Sequence, residues 1–249
     1  MPVAPRTTFC VMEKIKYNIY PSILDRFQNY LDAEQNFNRY GENGGVTFDE
    51  YMRQSTQELL DAINRVPFES KAANRGTAFN ELVDAMIKGN TPDTSENGEY
   101  IWQYKDDVFC FPAAITDEFA NYYRQCGAIS QVYCEAVLQT SFGAVKLYGY
   151  IDELTPLCVH DIKTCRQYTR GKYGHKWQKY VYPYCLNESG NAVNLFEYNV
   201  TDFKQTYTEE FNYNHDRDTK VLREHVERFI MFLEVSRKLI YDRKIFNFR

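Results

Sequence analysis

The chain has 249 residues, 44% of them hydrophobic and 25% charged, enough to bury a sizeable core as one domain. No apolar run approaches the ~20 residues of a membrane span, and the opening MPVAPRTTFCV lacks the charged-then-apolar layout of a secretory signal. The expected setting is therefore cytoplasmic and off the membrane, while a net charge of −5 argues mildly against nucleic acid until its distribution is considered.

The first half reads as helical. Leu24, Phe27 and Leu31 fall at helical spacing within 22–31, and Thr47-x-x-Glu50 is a capping box that opens a helix through about Ile63. Residues 76–89 carry Phe79, Leu82, Val83, Met86 and Ile87 at i, i+3, i+4, i+7 and i+8, which predicts a helix that packs through Phe79, Val83 and Met86. Thr116 is expected to cap a further helix through about Gln125. Two polar stretches rich in Gly and Asn, 38–45 and 89–99, read as loops.

The period then changes from 3.6 to 2. Residues 131–140, 144–152 and 157–164 alternate apolar and polar across short turns, which predicts three consecutive antiparallel strands. A helix over about 174–186 follows, then strands at 192–200 and near 203–211, and a closing amphipathic helix over roughly 216–243. This order makes an α+β fold with a mixed sheet.

Within the second and third strands, Asp152 ends one run, and Asp161 and Lys163 share a face of the next because strand side chains alternate. Two carboxylates beside an ammonium suit a hard divalent cation, Mg²⁺ or Mn²⁺, next to a phosphate. From 161 to 180 there are six cations against one acid, a net +5 on an otherwise acidic chain, which reads as a track for a phosphate backbone. The seven cysteines are scattered, with no C-x-x-C pair. That spacing argues against zinc, an iron–sulfur cluster and a disulfide framework. His160 and His175, isolated and without an i+4 partner, read as scaffold, and Glu135 reads equally as a solvated strand residue or as the border of the acidic site.

Four short motifs occur in order: Gly76-Thr-Ala-Phe-Asn80, Gly149-Tyr-Ile-Asp152, Asp161-Ile-Lys163 and Gln178-Lys-Tyr-Val-Tyr182. Together they resemble the PD-(D/E)XK nuclease superfamily, in its RecB-like and phage-exonuclease branch. The resemblance covers about 76–200 and implies a restriction-endonuclease-like core: helix, three-stranded antiparallel meander, helix, strand. The whole of 1–249 would then be one nuclease-like domain, with 1–70 a helical elaboration and 216–244 a C-terminal helix. The implied activity is metal-dependent hydrolysis of DNA, as an exonuclease in end processing, recombination or repair, of the kind that phages and prophages encode. A catalytically inactive DNA- or protein-binding module of the same fold is the alternative.

The resemblance also assigns residues. Asp152 and Asp161 would ligate the metal together with the Ile162 backbone carbonyl, and Lys163 would orient the attacking water and offset charge on the transition state. Gln178 and Tyr182 would hold a DNA phosphate or line the site, with Arg166, Arg170, Lys172, Lys176 and Lys179 along the backbone track. Many family members have a histidine where this chain has Asn80. Asn80, Glu81 or Asp84 is left to complete the metal site.

Overall fold

The computed structural model describes residues 14–40 and 45–247. Strand β1 (Tyr17–Ile19) leads into α1 (Pro21–Leu31), whose Pro21 presets the backbone angle of the first turn and lacks only an N–H that would go unused there. α2 (Ala33–Tyr40) and α3 (Phe48–Ile63) follow. As the capping box requires, the Thr47 hydroxyl accepts from the Glu50 backbone N–H at 3.3 Å. The loop expected at 38–45 begins inside α2, and 41–44 lie outside the described residues.

α4 (Lys71–Ile87) begins five residues before the expected Gly76, because Ser70 takes the capping position and accepts from the Ala73 N–H at 3.4 Å. The stretch read as a loop at 89–99 instead opens a small antiparallel sheet, β2 (Asp93–Thr94), β3 (Glu99–Tyr104) and β4 (Asp107–Pro112). α5 (Ala113–Gln125) starts ahead of Thr116, whose hydroxyl donates back to the Pro112 carbonyl from inside the helix and caps nothing.

The meander forms as β5 (Ile129–Thr140), β6 (Gly143–Leu154) and β7 (Cys158–Thr164), with both successive pairs antiparallel. α6 (Gln178–Glu188) starts four residues later than expected. It carries the chain over to β8 (Leu195–Thr201), which pairs parallel with β7, and β9 (Thr206–Asn212) pairs antiparallel with β8. α7 runs from His215 to Val235, eight residues short of its expected end, and two turns of 3-10 helix follow it. The result is an α+β molecule with a six-stranded mixed sheet flanked by helices.

Two apolar clusters divide the sheet's faces. One gathers α1, α3, α6 and α7 with Leu147, Ile151, Val159 and Tyr198. The other gathers α4, α5 and β4 with Ile162, and in it Phe79 packs on Phe111, Phe119 and Phe203. One edge of β6 pairs with β5 along its length; the other is shared by β1, at 145–147, and β7, at 153–154. Among the described residues, 148–152 on that second edge have no ladder partner, so the sheet splits where Asp152 lies.

No helix among the described residues is long and apolar enough to cross a membrane.

Candidate active site at the split between β6 and β7

Asp152 occupies the split. Its Oδ2 accepts from the Ile162 backbone N–H at 2.9 Å, replacing the ladder bond that the diverging strands cannot make, and from Asn80 Nδ2 at 3.3 Å. A strand residue points its N–H and C=O to the same side, so the Ile162 carbonyl lies on the Asp152 side of β7. One residue along, the buried Asp161 receives the Gln178 side-chain amide on Oδ1, while Lys163 Nζ lies 2.5 Å from its Oδ2. Asp161, Lys163 and Asp152 are thus brought together, and Gln178 joins them through Asp161.

Asp152 and Lys163 border a cavity of about 680 Å³ between α4 and the strand ends, lined also by Asn80, Glu81, Asp84, Gln131 and Ile162 among others; Asp161 and Gln178 are not part of its lining. Glu81 is exposed at its rim and accepts from Trp102 Nε1 at 3.4 Å. Asp84 is buried, one helical turn beyond Asn80. Asn80 Oδ1 and Asp84 Oδ1 are buried with no hydrogen-bond partner among the described residues. Buried oxygens left in this state cost free energy unless a donor or a cation reaches them.

The electrostatics of the cavity point the same way. Burial, with Asp161 close by, pushes the Asp152 carboxyl up to about 8. Burial and a hydrogen bond shared with Asp84 push Glu153 up to about 8 as well, and burial raises Asp84 in turn. Burial acts to lower Lys163, but Asp161 and Asp152 outweigh it and hold the ammonium above its ordinary value. Four carboxyls against one ammonium is an arrangement that must take up either protons or a further cation.

Two glycines of the sequence motifs have steric reasons. A Cβ on Gly149 would come 2.7 Å from Tyr182 Cε1, so the tyrosine ring lies directly on the β6 backbone. At Gly76 a Cβ would meet Thr164 Oγ1 at 3.1 Å, where α4 passes the end of β7. Tyr182 is accordingly buried, at 6% exposure, against the strand that carries Asp152.

The cationic run divides. Arg166, Arg170 and Lys172 are exposed. Lys176 Nζ is 3.4 Å from Asp25 Oδ2, and the half-buried Lys179 donates to the Gly174 carbonyl and lies 4.3 Å from the centre of the Phe211 ring. Glu135 bonds to Tyr133 and Lys146 and does not line the cavity.

Gln131 and Glu153 were not singled out by the sequence. Gln131, which the β5–β6 ladder skips between the Ser130–Glu153 and Val132–Ile151 pairs, lines the cavity with a left-handed backbone (φ 57), a strained conformation for a residue with a side chain, and no composition signal marks it. Glu153 had a readable signal: an acid beside Asp152 at a position where the alternation calls for an apolar residue.

No family model matches the chain, and no curated protein matches it either. Two solved structures are similar to it in part. The crystal structure of SSO0001 is 13% identical, with a TM-score of 0.46, over 88% of this chain and 78% of that one. A "Putative exonuclease" from Eubacterium rectale is 12% identical, with a TM-score of 0.43, over 73% of this chain and 74% of that one. Likenesses this loose fix neither family nor activity.

Proposed function

We propose that the protein is a Mg²⁺- or Mn²⁺-dependent DNA nuclease of the PD-(D/E)XK type with a restriction-endonuclease-like core, acting on ends as an exonuclease. The observation that carries this reading is the contact between Lys163 and Asp161 at the mouth of a cavity that also holds Asp152 and the partnerless oxygens of Asn80 and Asp84. The donor set is all oxygen, which is what Mg²⁺ and Mn²⁺ take.

Asp152, Asp161 and the Ile162 carbonyl would hold the ion, with Asn80 or Asp84 supplying the remaining oxygen and Glu81 within reach at the rim. When bound, the ion supplies Lewis-acid stabilisation of the phosphate and a more acidic water. Lys163, charged, paired with Asp161 and attracted by the nearby Asp152, lines the cavity. There it orients the attacking water and balances the negative charge that grows on the phosphoryl oxygens. Gln178 fixes the rotamer of Asp161, and Tyr182, through its contact with Gly149, fixes the strand that presents Asp152. Both act on the site by positioning it rather than by gripping the backbone. Arg166, Arg170 and Lys172 would carry the DNA toward the cavity. The end-acting preference rests on the Gln178-x-x-x-Tyr182 element, which resembles that branch.

The test is digestion of end-labelled linear and circular DNA, single- and double-stranded, in Mg²⁺, Mn²⁺ or EDTA. Cation-dependent loss of linear DNA with circles spared is expected. Binding without any EDTA-sensitive cleavage would leave the non-catalytic module as the reading.

A further inference from the structure

On β7, Cys158 and His160 are two residues apart and share the face opposite Asp161. β8 runs parallel beside it and places Glu197 directly across from His160. All three are buried, and one ligand atom of each lies within 4.8 Å of the others. His160 Nδ1 is the centre of this convergence. It is 3.1 Å from Glu197 Oε2, 3.1 Å from Asn199 Oδ1 and 3.9 Å from Cys158 Sγ.

The proton count makes this arrangement informative. The Thr155 hydroxyl lies 3.2 Å from the Cys158 carbonyl and 3.1 Å from His160 Nε2; with its proton on the carbonyl, its oxygen accepts from Nε2–H. Asn199 donates its amide to Glu197 and Thr208 and accepts from Tyr123 on Oδ1, which turns that oxygen toward the ring. With the proton on Nε2, the Nδ1 lone pair faces two oxygens and a sulfur. Such a convergence is repulsive unless a proton or a metal cation occupies it, and a ring N–H on Nδ1 can be aimed at only one of the oxygens. A histidine whose second nitrogen is tied to a hydroxyl is also how metal-ligating imidazoles are usually held.

We infer that Cys158, His160 and Glu197 form a zinc-type metal site, distinct from the oxygen cavity, whose lining includes none of the three. A mixed thiolate, imidazole and carboxylate set is what Zn²⁺ takes at four-coordinate sites, whereas Mg²⁺ keeps to oxygen. A cavity of about 270 Å³, lined by Tyr122, Tyr123, Glu197 and Asn199, opens onto Glu197 and gives both an access path and room for a fourth ligand, a water or Asn199 Oδ1. Binding balances as Zn²⁺ in and the Cys158 thiol proton out. The bound ion would pin β7 to β8 one residue from Asp161. The sequence argument against zinc rested on C-x-x-C spacing, whereas here two ligands come from strand alternation and the third from the parallel register. This inference does not depend on the nuclease reading.

The experiment uses the whole protein, stripped with chelator and reloaded with Zn²⁺ or Co²⁺ while excess Mg²⁺ fills the oxygen site. About one equivalent of zinc should survive gel filtration, and the cobalt form should show a thiolate-to-metal charge-transfer band. The band should persist in Asp152→Asn and Asp161→Asn and vanish in Cys158→Ser. Thr155→Ala, which removes only the support of the imidazole, should weaken zinc binding by about 10- to 100-fold. If Cys158→Ser does not fold, a band in the parent protein that survives Asp152→Asn still supports the site. A parent protein that retains no zinc and shows no thiolate band overturns it, leaving a His160–Glu197 ion pair as what the cluster holds. A band that persists in folded Cys158→Ser overturns it equally.

Discussion

Strand β7 takes part in two polar clusters, and the two differ in what they lack. In the first, which joins the Asp161 face to groups that α4 and Glu153 bring to the split from the other side, one ammonium stands among four carboxyls, and oxygens of Asn80 and Asp84 have no donor. On the His160 face, nearly every polar group has a partner, and the unmet need is concentrated on one ring nitrogen. Both faces call for positive charge, but one offers hard oxygens open to a large cavity and the other a sulfur, a nitrogen and an oxygen in a tight pocket. Strand alternation turns Asp161 and Lys163 away from Cys158 and His160, one residue apart on the same strand. Substitutions on the first face should therefore be read in turnover, and those on the second in stability and metal content.

The largest effect expected is the loss of Lys163. Lys163→Ala should lower cation-dependent cleavage by about 10²–10³, or some 3–4 kcal/mol of transition-state stabilisation, with thermal stability and DNA binding little changed. Asp161→Asn should do likewise through weakened metal affinity, partly recovered by excess Mn²⁺. His160→Gln should instead cost about 1–3 kcal/mol of stability, from buried hydrogen bonds left unmade. Rate losses of equal size from Lys163→Ala and His160→Gln, measured on folded protein, would erase the distinction between the faces.

The acid cluster adds a pH signature. Asp152 and Glu153 are raised to about 8 in the folded chain, above the ~4 of an unfolded carboxyl. Between those values the folded state binds more protons than the unfolded one, so stability in EDTA should fall as pH rises from about 4 to 8. Saturating Mg²⁺ should flatten that decline by taking over the role of the protons. Thermal midpoints measured across this range in EDTA and in Mg²⁺ check both statements; a midpoint in EDTA that climbs with pH would contradict them.

What could be read in advance follows from range. Asp161 and Lys163 are two apart on one strand, and Gly149 and Asp152 lie within one run, so local alternation alone placed them. The meander was legible for the same reason. The sheet split was not, because it depends on Tyr17–Ile19 pairing with 145–147, far along the chain. The small sheet β2–β4 begins in a polar stretch whose Gly and Asn residues read as loop, and its apolar partners Phe109 and Phe111 acquire meaning only against Phe79. Tyr182 looked like a surface partner of Gln178 at helical spacing, and nothing local shows that Gly149 lies beneath it.

That contact gives the third prediction, which tests how firmly the first face is held. Gly149→Ala places a methyl 2.7 Å from the Tyr182 ring and should destabilise by about 1–3 kcal/mol through overpacking. In a denaturant series, combining it with Tyr182→Leu should cost less than the sum of the two changes, by about 0.5 kcal/mol or more. Strict additivity would mean that the two residues do not touch.

The smallest effect belongs to the chain beyond β7, where the Asp161 face continues past Thr164 into the cationic run. Only charges that face solvent can replace counterions on a phosphate backbone. In a Lys163→Ala background, which keeps the DNA intact, each of Arg166→Ala, Arg170→Ala and Lys172→Ala should reduce the salt slope of duplex binding by about 1. Lys176→Ala and Lys179→Ala should change that slope less and stability more, because these two are half-buried, with Lys176 paired to Asp25, whereas Lys172, though bonded to the Gln167 carbonyl, is exposed. Binding isotherms at several salt concentrations separate the cases. Equal slope changes at all five positions would show that the division is wrong. No change even in the triple variant would show that the run is a solvated face with no DNA on it.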